Sequence, residues 1–366
     1  MSWALKEKYR AILSLEEGYY KKIWGEGITI CLAYPNAYRT GMSNLGFQTV
    51  YNLLNHNANC LCERVFLPDP VDEVELKRRG IPLFSLESQR PLQDFDIVAF
   101  SLPFENDFPN ILKILDLGGI SLLSCQRKDG EPLVMGGGIA VTLNPEPLAD
   151  FFDLFLLGEG EEALGKFCDR FAVALDTGLT REEMLFNLQK EMEGIYVPRF
   201  YRVSYGAGHL IEARVPIDQC LPEKITKSRL SDINSFMTEQ CITAKDTELG
   251  EMFLVEVSRG CRRGCRFCAA GFVCSPARFR REDLLKTSFL NALKKTKKIG
   301  LLGTAVSDHP DLLSLCRFIR EQGGDVAIGS LRLDKIDREL LVQLKEGGVK
   351  TLSLAPEAGS QRLRDV

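Results

Sequence analysis

Along most of the chain, short apolar runs alternate with stretches whose apolar positions recur every three or four residues, a pattern that predicts strands and helices in succession. In the first half the predicted strands are 28–34, 60–66, 96–101, 132–135 and 154–157. Leu45, Val50, Leu53 and Leu54 fall at helical spacing within 43–55, and Phe108, Ile111, Leu112, Ile114 and Leu115 do so within 106–117. Strand–helix–strand units of this kind build a parallel sheet with helices packed on its faces. Residues 1–175 are therefore expected to form a Rossmann-like, doubly wound α/β domain.

The texture changes at 176–250, which is expected to be a connector. Residues 180–192 read as a charged surface helix, and 196–205 with 209–215 as a hairpin turning on Gly206, Ala207 and Gly208. Residues 222–250 are polar and without periodicity, which places the domain boundary there. The beat then resumes, with strands predicted at 253–257, 299–302, 326–329 and 349–354 and helices at 282–295, 310–321 and 337–346. Four strands and three helices fall short of a closed barrel, and 359–366 opens another helix. The second domain, 251–366, is expected to be an α/β unit cut short at its C-terminus.

Composition narrows the class. A chain of 366 residues that is 45% hydrophobic and 26% charged is long enough for two soluble domains with full cores. A net charge of -4 argues against a general nucleic-acid surface and leaves room only for a local basic patch. The first twenty residues mix charged and apolar positions, so no signal peptide is expected. No run of about 18 apolar residues occurs, so no membrane span is expected either. Twelve cysteines without an export signal point to a reducing, cytoplasmic setting. Nine of them are scattered and read as small buried side chains.

The other three stand together. In VEVSRGCRRGCRFCAAGF, residues 255–272, Cys261, Cys265 and Cys268 follow a predicted strand directly. Three close thiolates can hold three irons of a cubane cluster and leave the fourth iron open, as catalytic metal sites keep an open position. Such an iron can chelate the amino and carboxylate groups of a methionine moiety, and one electron passed to the sulfonium breaks a carbon–sulfur bond. Gly260 and Gly264 give the loop backbone freedom, Arg259, Arg262, Arg263 and Arg266 offset thiolate charge, and Phe267 offers a flat ring for adenine. A zinc site with Cys274 as fourth ligand is the competing reading, although zinc usually takes paired knuckles or histidines and the chain's three histidines are distant.

CRRGCRFC is similar to the CxxxCxxC signature of the radical SAM superfamily, including the aromatic residue before the last cysteine. The resemblance implies a partial (β/α) barrel with a [4Fe–4S] cluster on Cys261, Cys265 and Cys268 at the C-terminal ends of the strands. It also implies S-adenosylmethionine as cofactor and a flavodoxin-like or ferredoxin-like electron donor. Phe267 would neighbour the adenine, Gly303 in Gly303–Thr304–Ala305 would meet the methionine amino group, Ser330 and Arg332 would end the third strand, and Glu357 in APEAGS would contact the nucleoside or methionine.

The first domain resembles the cobalamin-binding-like domains fused to many radical SAM enzymes. It carries YPNAYRTGMSNLG after the first strand, Gly136–Gly137–Gly138 after the fourth, NPEP at 144–147 and GEGEEAL at 158–164. The DxHxxG motif that supplies a histidine to cobalt is missing, with Asn36, Tyr38, Arg39 and Gly41 in its neighbourhood, so cobalamin is a candidate second cofactor without a protein nitrogen ligand. Taken whole, the chain resembles an uncharacterised bacterial group of radical SAM proteins. The activity this implies is reductive cleavage of S-adenosylmethionine to a 5′-deoxyadenosyl radical, leading to hydrogen abstraction or, with cobalamin, methyl transfer. Methylthiolation of RNA or protein, and a non-catalytic iron–sulfur redox role, are the alternatives.

Overall fold

The computed structural model describes residues 3–250, 252–329 and 331–365. The chain divides into two compact units, Met1–Leu230 and Ser231–Val366. In the first, helix α1 (Trp3–Ser14) precedes β1 (Ile28–Tyr34), α2 (Tyr38–Met42), α3 (Leu45–His56), β2 (Cys60–Phe66), α4 (Pro70–Arg79), β3 (Ile97–Ser101) and α5 (Phe108–Leu117). Then come β4 (Leu133–Gly137), α6 (Ile139–Leu143), β5 (Leu154–Leu156), α7 (Ala163–Asp176), α8 (Arg181–Glu191) and β6 (Ile195–Tyr196). Their sheet runs β2-β1-β3-β4-β5-β6, parallel except where β6 joins β5 antiparallel. The order 2-1-3-4-5 is one of the two common doubly wound orders, with its switch point between β1 and β3.

Every residue of β1 and β2 is buried. A parallel strand covered on both faces reads as a continuous run, which is why apolar content alone marks both strands. The exceptions in β2 are Glu63 and Arg64, and each is paired. Arg64 is wholly buried, with NH2 2.6 Å from Glu16 Oε2 and Nε 2.7 Å from Glu87 Oε1. Its guanidinium also lies 4.9 Å over the Tyr51 ring. Burial works against the charge, but Glu87 and Glu16 outweigh it and hold Arg64 protonated, its pKa raised well above the ordinary arginine value.

Residues 176–230 belong to the first compact unit rather than standing apart from it. Thr180 and Glu183 form a reciprocal capping box on α8. Past β6, the chain does not continue as one strand from 196 to 205. Pro198 fixes φ and removes a donor, and a single 3-10 turn, Pro198–Phe200, separates β6 from β7 (Tyr201–Tyr205), which pairs with β8 (Ile211–Pro216). Ser228 then returns to the end of β5, its N–H 2.8 Å from the Leu157 carbonyl and its own carbonyl 2.9 Å from Glu159 N.

The second unit holds β9 (Met252–Arg259), α9 (Ala269–Val273), β10 (Arg278–Phe279), α10 (Glu282–Leu293), β11 (Lys298–Gly303), α11 (Leu312–Glu321), β12 (Asp325–Ile328), α12 (Arg338–Glu346) and α13 (Gln361–Arg364). The sheet order is β10-β9-β11-β12, with β9, β11 and β12 parallel and β10 antiparallel. Val255, Val257, Ile299, Leu301 and Val326 face Leu285, Phe289, Leu315 and Ile319 in one core. The strand expected at 349–354 is absent as a ladder, leaving one parallel bridge between Leu331 and Leu354. Only Val349 and Leu352 of that stretch pack on the core, so burial fastens it at two points and does not zip it along its length.

Arg280 and His309 hold the middle of this unit. Arg280 is fully buried, with NH2 2.6 Å from Glu256 Oε2 and 2.7 Å from Thr238 Oγ1, and NH1 2.6 Å from the Phe236 carbonyl. His309 Nδ1 accepts the Asp311 N–H at 3.1 Å, and Nε2 faces the Arg280 carbonyl at 3.1 Å. A donor on one nitrogen and a carbonyl on the other fix the neutral Nε2–H tautomer. Burial lowers the pKa of this imidazole below its ordinary value.

Arg64→Met would leave Glu16 and Glu87 buried without a counter-charge, and the expected loss of stability is about 3–5 kcal/mol in urea unfolding followed by circular dichroism. A loss under about 1 kcal/mol would show that the two carboxylates are not held as charges. His309 gives a pH signature. Because its folded pKa is depressed, its contribution is complete above about pH 6.5 and drains away as pH falls from there through the folded value. The stability advantage of the native chain over His309→Gln should therefore shrink between neutral and acidic pH, and a gap constant with pH would contradict the buried neutral imidazole.

Candidate functional site

The parallel strand β9 ends at Arg259, and the chain leaves it through Gly260 at φ 81°. A Cβ there would lie 2.4 Å from the Cys274 carbonyl oxygen and 2.7 Å from that of Pro276, so only glycine fits. Gly264, expected to serve the same freedom, has nothing within 4 Å of a built Cβ and no positive φ. The Gly260 N–H donates to Thr304 Oγ1 at 3.3 Å, which ties the start of the loop to the residue after β11.

Cys261, Cys265 and Cys268 follow in one loop, all half-buried and none in a disulfide. The Arg263 N–H points at Cys261 Sγ from 3.4 Å, and the Cys268 N–H donates to the Cys265 carbonyl at 3.0 Å. Cys268 is the N-cap of α9. Among the described residues no group of three His, Cys, Asp or Glu side chains is gathered tightly enough to hold a metal ion. The thiols share a loop and a strand end, but they are not drawn together around one point. Their chemistry fits a cluster all the same: three free sulfur donors on a short loop, with no histidine or carboxylate interposed.

The loop's arginines are sorted by the fold. Arg259 forms a two-pronged bond to Glu256, Nε to Oε1 at 2.9 Å and NH2 to Oε2 at 2.8 Å. Burial alone would push the Glu256 carboxyl up, but Arg259 and Arg280 outweigh it and hold the carboxyl below its ordinary range. Arg263 NH2 lies 3.0 Å from Asp334 Oδ2, and Arg262 lies 5.2 Å over the Phe279 ring. Arg266 is exposed, with no carboxylate pair among the described residues.

The other expected site residues divide. Phe267 is 70% exposed beside the cysteines. Gly303 ends β11 so close to β9 that a Cβ would sit 2.4 Å from Ser258 Oγ. The Ser258 hydroxyl is buried there without a hydrogen-bond partner among the described residues. Arg332 binds Asp334 at 2.7 Å and lies 3.5 Å from Asp308 Oδ1, and its N–H donates to Ser307 Oγ at 3.3 Å. Burial opposes its charge, yet Asp334, Asp308 and the nearby Cys261 thiol raise its pKa. Glu357 is exposed at φ 65° and makes no hydrogen bond to the cysteine loop. Ser330 lies outside the described residues.

Sequence reasoning missed Asp334 and Asp308. Asp334 joins the cysteine loop to Arg332 by taking both Arg263 and Arg332. Asp308 Oδ1 is buried without a hydrogen bond among the described residues. The only signal for either was spacing: Asp308 closes the turn after β11, and Asp334 stands two residues beyond Arg332. In the first unit, the residues standing where a cobalt-binding histidine motif would lie are committed to the fold. The Asn36 amide donates to Asp107 at 2.8 Å, Tyr38 donates to Glu16 at 2.6 Å, and Gly41 has room for no side chain against Phe66.

Residues 46–198 match the family described as radical SAM proteins, N-terminal, and residues 255–366 match the radical SAM superfamily. An uncharacterised protein of Methanocaldococcus jannaschii is 28% identical over 340 residues, which is 92% of this chain and 62% of that protein. The chain thus spans under two thirds of the relative's length. With both matched regions on one chain and the three cysteines inside the second, the chain belongs to the radical SAM superfamily.

Proposed function

We propose that this chain is the catalytic part of an enzyme that reductively cleaves S-adenosylmethionine to methionine and a 5′-deoxyadenosyl radical. The observation that carries the reading is the placement of three free, half-buried thiols on one loop directly past the C-terminal end of a parallel strand. In β/α folds that end is where ligands are bound. Cys261, Cys265 and Cys268 would hold three irons of a [4Fe–4S] cluster, which when bound would supply the electron and an open iron for the methionine moiety.

The chain's own residues shape the rest of the site. Gly260 and Thr304 fix where the loop starts, and the exposed Phe267 ring is available to pack on adenine. Gly303 lets β11 close on β9, leaving the unpaired Ser258 hydroxyl at the same strand end. Arg332, held protonated between Asp334 and Asp308, offers a fixed cation to a carboxylate, and Asp308 Oδ1, which faces Arg332 at 3.5 Å without a hydrogen bond among the described residues, retains acceptor capacity for an ammonium group. Glu357 remains a candidate contact to the nucleoside. Arg262 and Arg266 present positive charge to an acidic electron donor of the flavodoxin or ferredoxin kind.

A corrinoid at the C-terminal edge of the first sheet would extend the activity to methyl transfer. Its support is the strand order with its switch point between β1 and β3. The segment 36–41 offers no imidazole to cobalt, so no protein nitrogen ligand comes from there.

Anaerobically reconstituted protein should contain iron and sulfide, show a broad absorbance at about 400 nm, and release 5′-deoxyadenosine from S-adenosylmethionine under a strong reductant. Cys265→Ala should lose the absorbance, most of the iron and all 5′-deoxyadenosine. Zinc in place of iron, or an unchanged chromophore in the variant, would refute the ligand assignment. An intact cluster that leaves S-adenosylmethionine untouched would favour a passive redox role.

A further inference from the structure

The hairpin of β7 and β8 forms a two-stranded sheet of its own, joined to neither of the larger sheets. Its base is anchored. Tyr201 is buried and donates its hydroxyl to the Pro222 carbonyl at 2.7 Å, and the Arg214 guanidinium lies 5.2 Å over the Tyr201 ring and 5.3 Å over that of Tyr196. Beyond the base the side chains stand in solvent: Tyr205, Leu210, Ile211, Val215 and Ile217 are each more than half exposed. An isolated hairpin is at best marginally stable in water, and it takes three or more strands with an apolar face to hold such a sheet. The five side chains together expose on the order of 500 Å² of apolar surface, the size at which a patch marks contact with another molecule.

The two edges of the hairpin differ. In β8 the register shifts by one extra residue, Glu212, so that Ser204 stands opposite Ala213 and Tyr205 opposite Ile211. The same strand ends in Pro216, which has no N–H to donate. Bulges and prolines are the features that keep an edge strand from pairing with another chain. β7 has neither. Its five residues, YRVSY, are unbroken, and among the described residues no backbone group of 201–205 hydrogen-bonds outside the hairpin.

The sequence of β7 says what fits its open edge. Tyr-Arg-Val-Ser-Tyr reads nearly the same in both directions, so a second β7 laid antiparallel and centred on Val203 meets the first in kind. Tyr201 would stand beside Tyr205 of the second copy, Arg202 beside Ser204, and Val203 beside Val203, with the first two pairs made twice by the two-fold axis. Aromatic cross-strand pairs are stabilising, and this register sets no like charges opposite each other. Tyr205 would then come to the place where Arg214 already rests against Tyr201. Charge argues against other occupants. Arg202, Glu212 and Arg214 are the only charged side chains in 201–217, too few cations to hold a polyanion or an anionic membrane.

We propose that β7 is a self-association edge, at which two copies of this chain join antiparallel across a two-fold axis into a four-stranded sheet ordered β8-β7-β7-β8. The apolar area falls short of the roughly 800 Å² per partner of a standard interface, so the dimer is weak, with a Kd on the order of 10–100 µM. The inference concerns the first unit alone and does not require that the second unit cleave S-adenosylmethionine.

The test is sedimentation equilibrium of the full-length chain from about 1 to about 300 µM, a span that brackets this Kd. The native chain should pass from monomer to dimer across it. Ser204 supplies variants that leave the single chain intact, because it is exposed and its hydroxyl reaches only the Ala213 carbonyl, at 3.5 Å. Ser204→Glu sets a carboxylate beside Arg202 of the second copy, twice, and should tighten the dimer about three- to tenfold, while Ser204→Arg should weaken it by a similar factor. Circular dichroism checks that both variants fold. Amide hydrogen exchange of the native chain locates the contact without any substitution: the amides of 201–205 should exchange more slowly as concentration rises through the Kd. A chain that stays monomeric throughout, which would leave the hairpin to a different partner, overturns the proposal. So does a dimer whose Kd moves the same way in both folded variants, or one that brings no concentration-dependent protection to 201–205. None of these readouts involves the cluster, so failure of the cluster reading and failure of this one give different results.

Discussion

Where the chain leaves β9, the backbone must turn within hydrogen-bonding reach of Thr304 and pass against the carbonyls of Cys274 and Pro276, and only a residue without a Cβ can do this. Gly260 is that residue, with φ at 81° and a hypothetical Cβ 2.4 Å from the Cys274 oxygen. The three cysteines stand where they do because of it. A second close approach, Gly303 against Ser258, closes the neighbouring strand end to the same tolerance. Backbone proximity thus sets the site before any side chain contributes, and the thiols are displayed on a loop whose two ends are fixed by β9 and α9.

Charge is arranged around this frame in a hierarchy set by burial. Seven arginines and one glutamate occupy 255–281. The most buried, Arg280, is spent on Glu256 and on main-chain carbonyls, where it straps 233–238 to the sheet. Arg263 and Arg332 share Asp334 at the surface, a contact too exposed to add much stability but placed to orient both guanidinium groups. Arg262 rests on the Phe279 ring, and Arg266 is exposed to solvent. The outer cations are the ones available to a partner or a negatively charged cofactor, because the inner ones are already neutralised.

How much of this was legible in the sequence depended on whether the deciding interaction was local. The bounds of β1 and β2 could be read directly, since strands buried on both faces need continuous apolar residues, and Glu63 and Arg64 did not disguise β2. The cysteine triplet was legible because its spacing is short. Pro198 splits one expected strand into two, a local signal that the apolar content of 196–205 masked. The stretch 349–354 has strand-like composition but lacks burial along its length, which depends on neighbours distant in sequence. Asp334 and Asp308 were not legible, because what distinguishes them from ordinary surface aspartates is the approach of Asp334 to Arg263 and of Asp308 to Arg332, partners distant in sequence. A cavity in the first unit is assembled from four strands and three helices, and nothing in any one segment announces it.

The central claim is that the three thiols hold a cluster whose remaining iron is free to take S-adenosylmethionine. Electron paramagnetic resonance of the anaerobically reduced chain tests it directly, with spectra recorded before and after the cofactor is added. The account predicts a reduced-cluster signal whose g-values change on addition, because the cofactor's methionine end enters the iron's coordination sphere. A signal identical with and without S-adenosylmethionine, from a cluster fully ligated by protein, would contradict it.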